Sequence, residues 1–169
     1  MSLQTSPTLS AHGAGGLSRC SESWKHIFPG EIEFRYVMGG LVENIEEKWD
    51  PANGIGHADI LRINKQIEAH WKEAERRHGM PVKGTGYTLS SHEYPSTYPQ
   101  NIAYKAAQMV DQKKADRFLR RMREASAAEY LMTSHPDVLD KLAAEVDLTS
   151  RNFTSISKTA RQRKHSRMT

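Results

Sequence analysis

One short stretch, Ile32–Val37, alternates apolar and charged residues along the chain. A period of two predicts a half-buried β-strand. The stretch follows Pro29-Gly30 and stops at Gly39-Gly40, and both dipeptides are turn signals. No other segment, including residues 1–18, has a convincing strand pattern, so we expect this strand to have no partner within the chain. An unpaired strand edge favours self-association with a second chain.

The remaining apolar positions recur at steps of three and four residues, which predicts helices. Four such segments occur, at about 57–78, 100–110 and 113–132, and beyond Ser134. Gly79 suits the end of the first helix, and Pro99 suits the first turn of the second. Phe118 and Leu142 lie on apolar stripes, so we expect both in the core. One strand and four helices predict a mainly α protein.

Two polar regions stand out, the third predicted helix and the loop before the second predicted helix. Arg117, Arg120, Arg121 and Arg123 are expected mostly to face water, with an i,i+4 ion pair between Arg120 and Glu124. Residues 82–98 form a long loop, and such loops usually bind a ligand or pack on their own side chains.

The loop's aromatic residues are the strongest binding candidates. Tyr94 and Tyr98 sit beside prolines, Pro99 among them, and rings on a stiffened loop make good contact surface. The alternative is that this loop packs against its own helices, and the sequence leaves both interpretations open.

Composition limits the class of protein. The 169 residues (19.1 kDa) suit one domain, the mean hydropathy is −0.69, and no run is apolar enough for a membrane span. Residues 1–23 are rich in Ser, Thr, Gly and Ala, and we expect them to be disordered. Residues 156–169 form a basic tail that we also expect to be disordered. A basic tail can attract nucleic acid, but this pattern alone does not predict that function.

Cysteine and histidine usage excludes several kinds of site. Cys20 is the single cysteine, so an internal disulfide and a multi-cysteine zinc site are excluded. This usage fits a reducing compartment, and we predict a cytoplasmic protein. None of the 8 histidines has metal-ligand spacing. We therefore predict no metal and no cofactor.

Three separate motifs resemble the DsbA-like disulfide oxidoreductases of the thioredoxin fold, in particular the FrnE-like branch. They are Glu33–Leu41, His70-Trp71-Lys72 with Gly79-Met80-Pro81, and Ser96–Gln108. The resemblance runs from about Trp24 to Phe153. It implies a helical domain inserted in a thioredoxin-like α/β domain, with a partial thioredoxin part at 24–48 and the insertion at 49–155. His70 and Trp71 are then expected to shape a groove beside the catalytic domain.

The chemistry of that family depends on a Cys-x-x-Cys pair at the start of a helix, and this chain lacks the pair. The fold class is therefore expected to be the helical insertion with one residual strand and an incomplete α/β portion, a family member truncated at both ends. Cys20-Ser-Glu-Ser23 has the pattern Cys-x-x-Ser, the monothiol variant of that pair. Cys20 is therefore the candidate catalytic residue. The resemblance implies protein or peptide thiol substrates. We expect a redox-inactive family member, and the alternative is a non-catalytic protein-binding module built on the helical domain.

Overall fold

The computed structural model describes residues 3–5, 21, 23–38, 43–44, 60–79, 81–88 and 91–148. Phe153, the basic tail and the predicted boundaries at residues 48–49 and 155–156 lie outside these ranges. The division into domains stays a prediction.

Two short strands form a parallel pair near the start of the chain. Strand β1 (Leu3–Thr5) pairs with strand β2 (Phe34–Tyr36), with Leu3 opposite Phe34 and Thr5 opposite Tyr36. A parallel pair needs a crossover connection, and the described residues between the strands include a helical segment, Ser21 and residues 23–27. Together they form a β–α–β unit.

This pairing corrects one expectation from the sequence. The prediction that the strand near Ile32 has no partner in the chain is wrong, because Leu3–Thr5 pairs with Phe34–Tyr36. The three residues of β1 are too few to show an alternating pattern. Strand formation also depends on the neighbouring strand more than on local preference. The predicted alternation itself is present, since Arg35 is exposed and Tyr36 is buried.

Four α-helices and one π-helix make up most of the described chain, so the mainly α prediction is confirmed. They are α1 (Ile60–His78), α2 (Tyr98–Val110), α3 (Gln112–Glu124), a π-helix (Ala125–Glu129) and α4 (Pro136–Glu145). No helix within the described ranges has the length and apolarity that crossing a membrane requires.

Local signals explain where several helices begin. Pro99 lies in the first turn of α2, where a missing N–H costs nothing. At the start of α3 the Asp111 carboxylate accepts a hydrogen bond from the Lys114 N–H at 2.9 Å, an N-cap that satisfies one free donor. Helix α4 is capped by Nδ1 of His135, which accepts from the Asp137 N–H at 3.1 Å.

The main core lies among α2, α3 and α4. Small residues such as Ala103 and Ala107 line α2 and let the next helix approach, while Phe118 and Leu142 are completely buried. The expectation that these two residues are in the core is confirmed. Tyr36 packs edge-on against Tyr104, with 6.5 Å between the ring centres, and joins β2 to this core.

A second, aromatic cluster fixes the loop before α2. Tyr87 lies between Trp71 of α1 and Tyr130 at the end of the π-helix, with ring centres 5.0 and 5.2 Å away in edge-to-face arrangements. The backbone N–H of Lys83 donates to the Ala127 carbonyl at 2.9 Å. Residues 81–88 therefore pack against the chain's own helices.

Candidate functional site

A positively charged cleft lies where the β–α–β unit meets α3. Its volume is about 310 Å³. The helical segment contributes Lys25, strand β2 contributes Tyr36, and one face of α3 supplies most of the rest. The lining residues are Ser21, Lys25, Tyr36, Lys113, Asp116, Arg117, Leu119, Arg120 and Arg123. Five of these carry positive charge and one carries a carboxylate.

Arg123 forms part of the inner wall of this cleft. Its guanidinium lies 5.3 Å from the centre of the Tyr36 ring, a distance at which the ring face attracts a cation. Burial lowers the pKa of Arg123, and the nearby Tyr36 opposes that shift. Arginine keeps its charge in proteins. The Tyr36 hydroxyl donates to Ser21 Oγ at 3.5 Å, which links β2 to the helical segment across the cleft.

Asp116 is the single carboxylate of the lining, and amide and hydroxyl groups surround it. Its Oδ1 accepts from the Tyr104 hydroxyl at 3.2 Å and from Gln112 Nε2 at 2.9 Å. Gln108 Nε2 donates in turn to the Tyr104 oxygen at 3.1 Å. Burial, followed by the charge of Asp116, raises the pKa of Tyr104 above its ordinary value. This network holds the Asp116 side chain in a defined place.

Arg121 anchors α3 to its neighbours. It contacts Glu129 of the π-helix and Glu145 of α4, each at 2.6 Å. The hydrogen bond to Glu129 is the main reason that the pKa of Arg121 is raised. The predicted Arg120–Glu124 ion pair is confirmed at 2.9 Å.

The arginines differ in exposure. Arg117 and Arg120 are exposed, as expected, but Arg121 and Arg123 are not, because they pair across helices or against an aromatic ring. The prediction that they face water is wrong for these two.

His70 and Trp71, the two candidate site residues on α1, lie in different surroundings. Trp71 is 5% exposed and lies inside the aromatic cluster, while His70 is exposed. Trp71 therefore stabilises the packing of residues 81–88. The groove that the pair was expected to shape stays a prediction.

The loop candidates Tyr94, Tyr98 and Pro99 are all half-buried. The Tyr94 ring centre lies 4.5 Å from that of His135, at the start of α4. The Tyr98 N–H donates to Ser96 Oγ at 3.1 Å, which shapes the entry into α2. The Tyr94 ring is therefore used in part for packing within the chain, and part of it stays exposed.

Comparisons with known proteins identify the family. A sequence model of the family described as thioredoxin matches residues 27–164, which is most of the chain. The chain belongs to the thioredoxin family. A comparison with curated proteins finds no match. Among solved structures, the chain is similar to a candidate protein disulfide isomerase from Nitrosomonas europaea. That match has 16% sequence identity and a TM-score of 0.57, and it covers 92% of this chain and 68% of the other. At that identity the likeness shows the fold alone.

Cys20, the candidate catalytic residue of this thioredoxin-family chain, lies outside the described residues. The next residue in the sequence, Ser21, is helical, buried and part of the cleft lining. Within the described ranges, no group of three histidine, cysteine, aspartate or glutamate residues could hold a metal ion.

Reasoning from the sequence missed the cleft. Lys113, Arg117, Arg120 and Arg123 are spaced by three and four residues, so they share one face of a helix. That spacing was visible, but it is also the pattern of an ordinary solvated face. What distinguishes the cleft is its other wall, formed by Tyr36 and Lys25, and only the fold places those residues opposite α3.

Proposed function

We propose that this chain is a DsbA-like, FrnE-like member of the thioredoxin family that does not perform the two-cysteine redox cycle. One observation carries the proposal: Cys20 is the only cysteine among 169 residues. In the two-cysteine cycle, a pair of thiolates becomes a disulfide and passes two electrons to the substrate disulfide. A single sulfur cannot close an internal disulfide, so the cycle cannot be completed within this chain.

A single thiol can still exchange with external disulfides. The Cys20 thiolate would attack one sulfur of a substrate disulfide, form a mixed disulfide and release the other sulfur as a thiolate. A second, external thiol would then have to attack the mixed disulfide to regenerate Cys20.

The test compares the wild-type chain with Cys20→Ser and Ser23→Cys. Ser23→Cys restores a Cys-x-x-Cys sequence at a position that is helical and exposed. We expect no oxidation of a reduced dithiol peptide by the wild-type chain, and measurable oxidation by Ser23→Cys after treatment with oxidant. Oxidation by the wild-type chain that persists in Cys20→Ser would contradict the proposal, because it would require a different redox group.

The alternative is a non-catalytic protein-binding module, and one observation favours it. Trp24, Ile27 and Phe28 are 46%, 64% and 37% exposed, and they lie at helical i, i+3 and i+4 positions. The Trp24 and Phe28 rings stack with centres 5.6 Å apart. Exposed apolar patches of this kind often mark contact sites for other proteins. This surface belongs to the β–α–β unit and not to the helical region that the sequence indicated.

A peptide-binding assay separates this alternative from the first proposal. Fluorescence anisotropy would follow binding of a labelled, carboxymethylated insulin B chain, which contains no free thiol. Binding that is lost in Ile27→Ser, but retained in Leu61→Ser as the control with another exposed residue (73%), would support the module. Equal loss in both variants would contradict it.

A further inference from the structure

Positive charge is concentrated in the cleft beside α3. Lys25, Lys113, Arg117, Arg120 and Arg123 supply five cations around about 310 Å³. Like charges held together repel one another, and this arrangement costs stability unless an anion offsets it. The Asp116 carboxylate of the lining and the Arg120–Glu124 ion pair offset part of this charge and leave the cleft net positive.

The cations approach the cleft from two separate walls. Lys25 comes from the helical segment, with its Nζ 5.8 Å from the centre of the Phe34 ring. Lys113, Arg117 and Arg123 come from α3, where Lys113 and Arg117 are exposed and Arg123 is largely buried against Tyr36. An anion in the cleft would therefore be within reach of cations from both elements, the helical segment and α3.

The mixture of cations favours phosphate among the small anions. Arginine presents a fork of N–H donors that matches two phosphate oxygens, and lysine adds a point charge to a third. The hydroxyls of Ser21 and Tyr36 lie at the inner wall and are bonded to each other at 3.5 Å. Tyr36 has one O–H and donates it to Ser21, so these hydroxyls make the wall polar but do not supply two further donors.

We infer that this cleft is a binding site for a small ligand with a phosphate or diphosphate group, held by Lys25, Lys113, Arg117 and Arg123. The volume falls at the lower end of small-molecule sites, which suits a diphosphate-sized group. The inference is independent of the proposed function, because none of these four side chains takes part in the thiol exchange described above.

Isothermal titration calorimetry with pyrophosphate tests the site, using the full chain. The test variant is Lys113→Gln/Arg117→Gln, which removes two exposed charges from the cleft. The matched control is Arg62→Gln/Lys65→Gln, which removes one arginine and one lysine from exposed positions on α1. We expect the cleft variant to bind about tenfold more weakly or worse, as for loss of roughly one charge-assisted interaction, and the control to bind as the wild type does.

Three outcomes would overturn the inference. They are no binding of pyrophosphate by the wild-type chain at millimolar concentration, an equal loss of affinity in the control variant, and equal affinity for citrate. Equal loss in the control would show a general effect of net charge. Equal affinity for citrate, a carboxylate anion, would show that the cleft does not recognise phosphate. Circular dichroism of both variants checks that the helices are retained.

Discussion

Replacing Glu68 by alanine removes a carboxylate of α1 that holds the backbone of Gly86 and Tyr87. Glu68 Oε2 accepts the backbone N–H of Gly86 at 3.0 Å and that of Tyr87 at 3.2 Å, and Oε1 lies 3.2 Å from Lys72 Nζ. Tyr87 is 4% exposed and packs edge-on against Trp71. The variant should therefore loosen the aromatic cluster through the backbone that positions it.

The expected loss of stability is about 2 kcal/mol. A hydrogen bond to a charged acceptor contributes roughly 1.5–3 kcal/mol, and this value applies to the partly buried amide of Tyr87. The amide of Gly86 is exposed and can bond to water instead, so its contribution is small. The ion pair between Glu68 and Lys72 is partly exposed and adds roughly a few tenths of a kcal/mol at most. For a chain of this size, a loss of about 2 kcal/mol lowers Tm by roughly 4–8 °C.

The effect should depend on pH in a defined direction. The Tyr87 amide, then the Lys72 and Gly86 hydrogen bonds, lower the pKa of Glu68 in the folded protein. In the unfolded chain that pKa is about 4.3. The stabilisation is therefore fully present above about pH 4.3 and is lost as the pH falls through the lower folded value. The difference between wild type and Glu68→Ala should be constant near neutral pH and should shrink in acid.

Urea denaturation followed by circular dichroism at pH 7 and pH 3 measures the difference. Glu73→Ala is the matched control, since Glu73 lies on the same helix and pairs with Arg76 and Arg77 on an exposed surface. We expect the control to change stability by less than about 0.5 kcal/mol. Equal destabilisation by the two variants, or a Glu68→Ala effect that is undiminished at pH 3, would refute the reasoning.

Three further predictions concern the core, an ion-pair network and the strand pair. Phe118→Ala should cost about 3–5 kcal/mol and Leu142→Ala about 2–5 kcal/mol in urea denaturation, because both side chains are fully buried; Met109→Ala, at a residue 73% exposed, is the control. Arg121→Met should cost about 1 kcal/mol or less, and the loss should diminish in high salt. Removal of residues 1–5 frees the edge of β2 that β1 covers, so sedimentation velocity should show increased self-association; an unchanged monomer would contradict this.

The helical half of the fold could be predicted because its information is local. The apolar stripes that place Phe118 and Leu142 in the core repeat every three to four residues, and the caps and prolines lie beside the helices that they begin. The partner of β2 could not be found in this way, since Leu3–Thr5 is too short to carry a pattern and pairs with residues far along the chain. The cleft was missed for a similar reason. The sequence places Arg123 among three other arginines, but its position against Tyr36 depends on the tertiary fold.

The π-helix at Ala125–Glu129 holds an extra residue just before Tyr130 of the aromatic cluster. Alanine and glutamate favour an ordinary α-helix, yet here the N–H of Tyr130 bonds to the Ala125 carbonyl, five residues back, and Tyr130 adopts a left-handed conformation with φ 55°. A wide turn of this kind holds one residue more than a regular helical turn. Deleting Ala128 would therefore let the helix continue regularly, with the following residues at roughly the same angular position. Tyr130 would still face Tyr87, so a deletion should be tolerated better here than within α3, where it would rotate the following residues by roughly 100°.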